Sequence, residues 1–357
     1  NSLGFIKGKQ QTKAFGGKII EQDNGGGAVA LKYPCRVRMV LSCGQGFGLG
    51  GEWGGAALLA VENAPPGWRG RYGMFPHLGA PVGFIAANGL FLALGLWLDD
   101  GEFLNWGWRL PFIASFVLIL ISMYVQLKLE DTPAFKALAA NQAPKDTAQQ
   151  TVVKSPIVEV LRRYPKRIVL AAGAFLSIQV TFYILIAFVV AYGVNSPTVT
   201  LSRDMMLTAV LVAAAIMVPS QFYFSGLSDR LGRKTVYRWG AILTGLWGFA
   251  LFPLIDTGDP ILICVAVTMG LVFLGMQYGP QAAFFTELFS TEVRYSGASL
   301  GYQLGAIVGG ALAPTIAVLL WNNFGIFWVS VYILMAAILT LMSLSQLTET
   351  QGSDLTD

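Results

Sequence analysis

Long stretches without a charged side chain alternate along this chain with short clusters of Lys, Arg, Asp and Glu. Charge-free runs occupy residues 72 to 98, 110 to 127, 168 to 202, 205 to 228, 239 to 255, 260 to 286 and 295 to 348. A hydrocarbon core about 30 Å thick needs roughly 20 apolar residues per helix, and every run approaches or exceeds that length. The last run has room for two helices, with Trp321-Asn322-Asn323-Phe324-Gly325 as the turn between them. Residues 44 to 62, interrupted only by Glu52, supply one more. The pattern predicts an all-α, polytopic membrane bundle of about nine spans.

Composition agrees with the pattern. Charged residues make up 12% of the 357 residues, apolar residues 54%, and mean hydropathy is +0.58, whereas a soluble chain carries about a quarter charged residues. The net charge of +4 is gathered in clusters between apolar runs, which reads as membrane topology and gives no reason to expect a nucleic-acid partner. Cys35, Cys43 and Cys264 have no CxxC spacing, and His77 is the only histidine. No metal site, cofactor or disulfide framework is expected from them. No nucleophile or general-base constellation points to an enzyme.

The basic clusters orient the chain. Arg69 and Arg71, the stretch from Lys128 to Arg167, Arg230 to Arg238, and Arg294 fall in alternate loops, which the positive-inside tendency places in the cytoplasm. The intervening loops, such as Asp99-Asp100-Gly101-Glu102 and Asp256-Thr257-Gly258-Asp259, face outward. Trp106, Trp108 and Arg109 then sit at an outer boundary as belt anchors. Residues 128–167 hold eight basic residues and four prolines and read as a cytoplasmic linker. It divides a partial bundle at 44–127 from a six-helix bundle at 168–348, with a tail at 349–357.

The segment GQGFGLGGEWGGAALLAVE contains Gly46-x-Gly48-x-x-Gly51, the spacing of a dinucleotide loop. Such a loop needs a preceding strand, a following helix and an acidic residue about 20 positions on. None is convincing here. Gly50-x-x-x-Gly54 and Gly51-x-x-x-Gly55 instead let membrane helices approach closely. That segment, with NWGWRLPFIASF, LEDTPAF, FSGLSDRLGRK and FFTELFSTEVRYSGASLGYQLGAIVGG, resembles the metabolite:H+ symporter family of the major facilitator superfamily. The resemblance runs from residue 44 to about 348.

The resemblance implies twelve helices in two bundles, of which this chain would supply helices 4 to 12. It implies a bacterial inner-membrane carrier, expected to be monomeric, that moves a small organic acid or zwitterion with H+ by alternating access. An uncoupled facilitator or antiporter is the alternative. Residues 1–43 resemble nothing in the family, and Ser42 stands where an arginine is expected. This reads as a truncated or mis-framed segment, with a natural nine-helix variant as the other possibility. It is expected to be poorly ordered, and the chain as given is expected to insert without transporting.

Candidate site residues follow. Glu52 lies mid-span, where an ionised carboxylate costs roughly 2.5–3.5 kcal/mol, so it is a candidate for proton coupling. The alternative is a neutral Glu hydrogen-bonded between helices. Gln45 adjoins it. Phe175, Gln179 and Tyr183 are spaced i, i+4, i+8, and Gln277 and Gln281 are spaced i, i+4, so each set shares a helix face and could meet one polar solute. Interhelical hydrogen bonding is the bland alternative. His77 is a candidate proton relay or a packing residue. By resemblance, Gly226, Asp229, Arg230, Gly232 and Arg233 form a gating motif, completed by Glu287 and Arg294, that closes the cytoplasmic side. Lys234 extends that motif. Gly297, Gly301, Gly305 and Gly309 form a packing stripe, which the family's architecture would set against helix 2.

Overall fold

The computed structural model describes residues 13–15, 18–20, 46, 52–128, 156–196, 199, 201–291 and 293–352. Within the first 43 residues, β1 (Lys13–Phe15) and β2 (Lys18–Ile20) pair as an antiparallel hairpin, with Lys13 opposite Ile20. Everything else with regular structure is helical. Before the linker come α1 (52–62), α2 (Arg69–Trp97, with a break at Met74) and α3 (Leu110–Lys128). A short amphipathic helix, α4 (Pro156–Arg163), closes the linker. Six long helices follow: α5 (Pro165–Asn195), α6 (Arg203–Leu231), α7 (Arg233–Asp256), α8 (Pro260–Glu287), α9 (Arg294–Phe324) and α10 (Ile326–Gln346). Eight of the helices among the described residues are long and apolar enough to cross a membrane.

Local chemistry sets the ends. The Ser202 hydroxyl accepts from the Met205 N–H to start α6, and the Asp259 carboxylate accepts from Ile261 and Leu262 to start α8, the expected N-cap geometry. Gly232 (φ 100°) and Gly325 (φ 92°) end α6 and α9 in a backbone conformation closed to other residues. The α9–α10 turn is therefore Gly325 alone. The helix runs through Trp321, Asn322 and Asn323, because the Gly325 N–H still reaches the Trp321 carbonyl. The asparagines read as turn residues are the last turn of a helix.

Packing concentrates in the second half. Buried residues of all six helices from α5 to α10 form one continuous core, whereas the hydrophobic window of α3 has no buried residue. An apolar helix exposed on all sides needs an apolar solvent. In such a solvent helices gain little from hiding oily side chains and rely on close packing. The glycine stripe of α9 does this against α5: an added Cβ would fall 2.7 Å from the Ala171 Cβ at Gly301, 2.8 Å from the Phe175 Cβ at Gly305 and 3.1 Å from the Gln179 Cβ at Gly309. The stripe thus meets a neighbour in its own bundle, not helix 2. Gly54 and Gly55 of α1 likewise meet Ser299 and Tyr295 of α9. Two π-helical turns, Ile184–Phe188 in α5 and Ala306–Ala311 in α9, interrupt these paired helices.

Candidate functional site

At one end of the bundle two helices begin without a cap of their own. Trp68 before α2 and Gly232 before α7 place no side-chain acceptor on the first N–H groups, which leaves donors unsatisfied. Carboxylates from elsewhere fill both places. Asp229, at the end of α6, accepts from the backbone N–H of Gly70 (2.8 Å) and Arg71 (3.1 Å). Glu349, in the tail, accepts from the N–H of Arg233 (2.9 Å) and Lys234 (3.1 Å). An anion at a helix N-terminus also meets the positive end of the helix dipole.

Side chains extend the network. Arg233 donates to Asp229 at 2.5 Å and lies 3.5 Å from Glu287, whose other partner is the Thr350 hydroxyl at 2.7 Å. Arg294 reaches Glu62 of α1 at 3.4 Å and the Phe289 carbonyl at 3.2 Å. These charged side chains are 8% exposed or less, so each ion would be costly without its partner. Two ties, Asp229 to α2 and Arg294 to Glu62, run between segments on opposite sides of the linker. Gly226 is buried because the Arg71 guanidinium lies over it, where a Cβ would meet Nε at 2.5 Å. Arg230 points outward and stands apart from the buried pairs.

Toward the middle of the bundle the same two halves meet through rings. Trp53 of α1 stacks on Tyr302 of α9 with centroids 4.0 Å apart, Tyr302 in turn packs on Phe175 at 4.3 Å, and His77 of α2 sets its edge against Tyr278 of α8 at 4.5 Å. Trp53 and His77 are themselves 5.7 Å apart. His77 is buried, and neither its Nε2 nor the Trp53 Nε1 has a hydrogen-bond partner among the described residues. Buried polar groups left so ask for a ligand or water. At the far end a cavity of about 900 Å3 opens between α2 and α6, lined by Asn88, Phe91, Trp108 and Phe112 with Arg203 and Asp204.

Gln45 lies outside the described residues. Glu52 is exposed on α1. Gln277 is buried; its Nε2 donates to Thr244 of α7 at 2.9 Å, an interhelical bond, while its Oε1 has no partner among the described residues. Gln179 and Tyr183 face the glycines of α9, at Gly309 and Gly310. The face they share with Phe175 is a packing face, because the glycines admit the α5 side chains there. Gln281 is wholly buried, and both its amide atoms lack a partner among the described residues. Sequence reasoning passed over Glu62, Trp53, Tyr278, Tyr302 and the tail residues Glu349 and Thr350. The acid of Glu62 and the Glu349-Thr350 pair were the available signals.

The Major Facilitator Superfamily profile matches residues 37–301. The inner membrane metabolite transport protein YhjE of Escherichia coli K12 is 41% identical over 321 residues, covering 87% of this chain and 70% of that protein. The shikimate transporter of the same organism is 33% identical, covering 84% of this chain and 67% of its own length. Among solved structures, the proton:xylose symporter XylE superposes with a TM-score of 0.65 at 16% identity, over 84% of this chain and 69% of XylE. The matched profile, the identity to these transporters and the shared helical fold place this chain in the Major Facilitator Superfamily.

Proposed function

We propose that this protein is a secondary carrier that moves a small organic acid or zwitterion together with H+ by alternating access. Membership of the superfamily makes it a transporter of metabolites and not an enzyme. The observation that carries the finer reading is the pairing of a tied end with an open end: buried carboxylates join the two halves at the motif loops, while a cavity opens between α2 and α6 at the opposite end. With the motif loops in the cytoplasm, that is an outward-facing state. The relatives named above, a shikimate transporter and a proton:xylose symporter, support the solute class and the coupling.

Solute and proton would meet around Trp53, His77, Tyr278 and Tyr302, where ring faces surround two polar nitrogens in need of partners. Glu52 lies one residue before Trp53 on α1, and a carboxylate there can take up a proton from the open side. The test is uptake into proteoliposomes by the full carrier, with and without an inward pH gradient. Accumulation should need the gradient in wild type and vanish in Glu52→Gln, with gradient-free exchange retained. Equal accumulation with and without the gradient would remove the proton from the mechanism.

A further inference from the structure

On the flank of the motif end, α2 and α6 leave a second cavity of about 540 Å3, lined by Trp68, Arg71, Tyr72, Phe75, Phe222 and Tyr223. Its five aromatic side chains are 37% to 65% exposed. Arg71 stands where the charged loop gives way to the apolar span, with its guanidinium 4.4 Å over the Trp68 ring and against Gly226. Its backbone N–H serves Asp229. Among the described residues no carboxylate lies within ion-pair distance of the guanidinium itself. A cation held by stacking, and left without a counter-ion, suits an anion that arrives from outside.

The walls identify the carrier of that anion. A free phosphate would gain nothing from five aromatic rings, while an acyl chain alone would gain nothing from the arginine. Aromatic side chains at this depth mark the headgroup level of a bilayer, where phosphates are abundant and basic residues are attracted to them. We propose that this groove binds a phospholipid of the adjacent leaflet, with the phosphate on Arg71 and an acyl chain along Phe75, Phe222 and Tyr223. The groove spans the start of α2 and the end of α6, the two elements that Asp229 joins. A lipid seated there favours the joined state.

The probes are dioleoylphosphatidylglycerol, dioleoylglycerol and inorganic phosphate, offered to the delipidated full carrier and read by native mass spectrometry. Phosphatidylglycerol should be retained at least about fivefold better than the headgroup-free diacylglycerol. Arg71→Gln, which keeps the backbone amide that Asp229 uses, should erase that preference, while Arg109→Gln at the other end should preserve it. Should Arg71→Gln fold poorly, Tyr223→Ala on the exposed rim should weaken retention severalfold with the preference intact. Equal retention of both lipids by wild type, or an unchanged preference in Arg71→Gln, overturns the proposal. Displacement of the lipid by millimolar inorganic phosphate reassigns the groove to a free anion and overturns it as well.

Discussion

Asp229 does at residue scale what a cap normally does within one helix, except that the helix it caps lies on the other side of the linker. A lost N-cap typically costs about 0.5–2 kcal/mol, enough to shift a two-state equilibrium roughly tenfold without unfolding anything. Asp229→Ala should therefore raise the fraction of molecules open at the motif end, measured as broadened spin-label distances between α2 and α6. An unchanged distribution would separate the carboxylate from gating. Of the charged members, Asp229, Arg233, Glu287 and Arg294 were legible through the motif resemblance, while Glu62 and Glu349 were not. Their partners were not: Gly70 and Arg71 contribute backbone N–H groups, and an amide carries no residue identity that a sequence pattern can register. A shared helix face likewise does not say which neighbour Gln277 meets, which here is Thr244.

Among elements, α5 and α9 are the pair whose contact depends most on what is missing from a side chain. Gly305→Leu would drive four carbons into the Phe175 Cβ and the Ala172 carbonyl, and overpacking of this kind costs about 1–3 kcal/mol or more. Reduced yield and a lowered melting temperature in detergent are expected, with Gly305→Ala less severe. The tail is an element in its own right: Glu349 caps α7, Thr350 holds Glu287, Gln351 donates to the Asp229 carbonyl at 2.6 Å, and Lys234 reaches the Leu347 carbonyl. Glu349→Gln should lower the melting temperature and weaken closure at the motif end, and a variant as stable and as closed as wild type would dismiss the tail as a bystander. Helix number and order after the linker were legible from charge-free runs alone. Fine register was less so, because the π-turns in α5 and α9 each insert a residue that shifts every later side chain off the i, i+4 arithmetic. A run of apolar residues carries no mark of such an insertion.

At the scale of the whole molecule, one end is tied and the other open, and labelling can read that asymmetry directly. A cysteine introduced at Asn88, in the wall of the larger cavity, should react with an impermeant maleimide added outside cells, and saturating transported solute should slow the reaction. Labelling only from the cytoplasmic side would invert the proposed orientation. The tied end has a consequence for the conditions under which the carrier can run. Exposed ion pairs dissolve as salt rises, since the screening length is only about 8 Å at physiological ionic strength, but pairs shut away from water are screened far less. The Asp229–Arg233 and Arg233–Glu287 contacts are of the second kind, with side chains 6% exposed or less. The balance between tied and untied states should therefore stay nearly flat as potassium chloride rises from tens to hundreds of millimolar, so a cell under osmotic stress would keep these contacts at full strength.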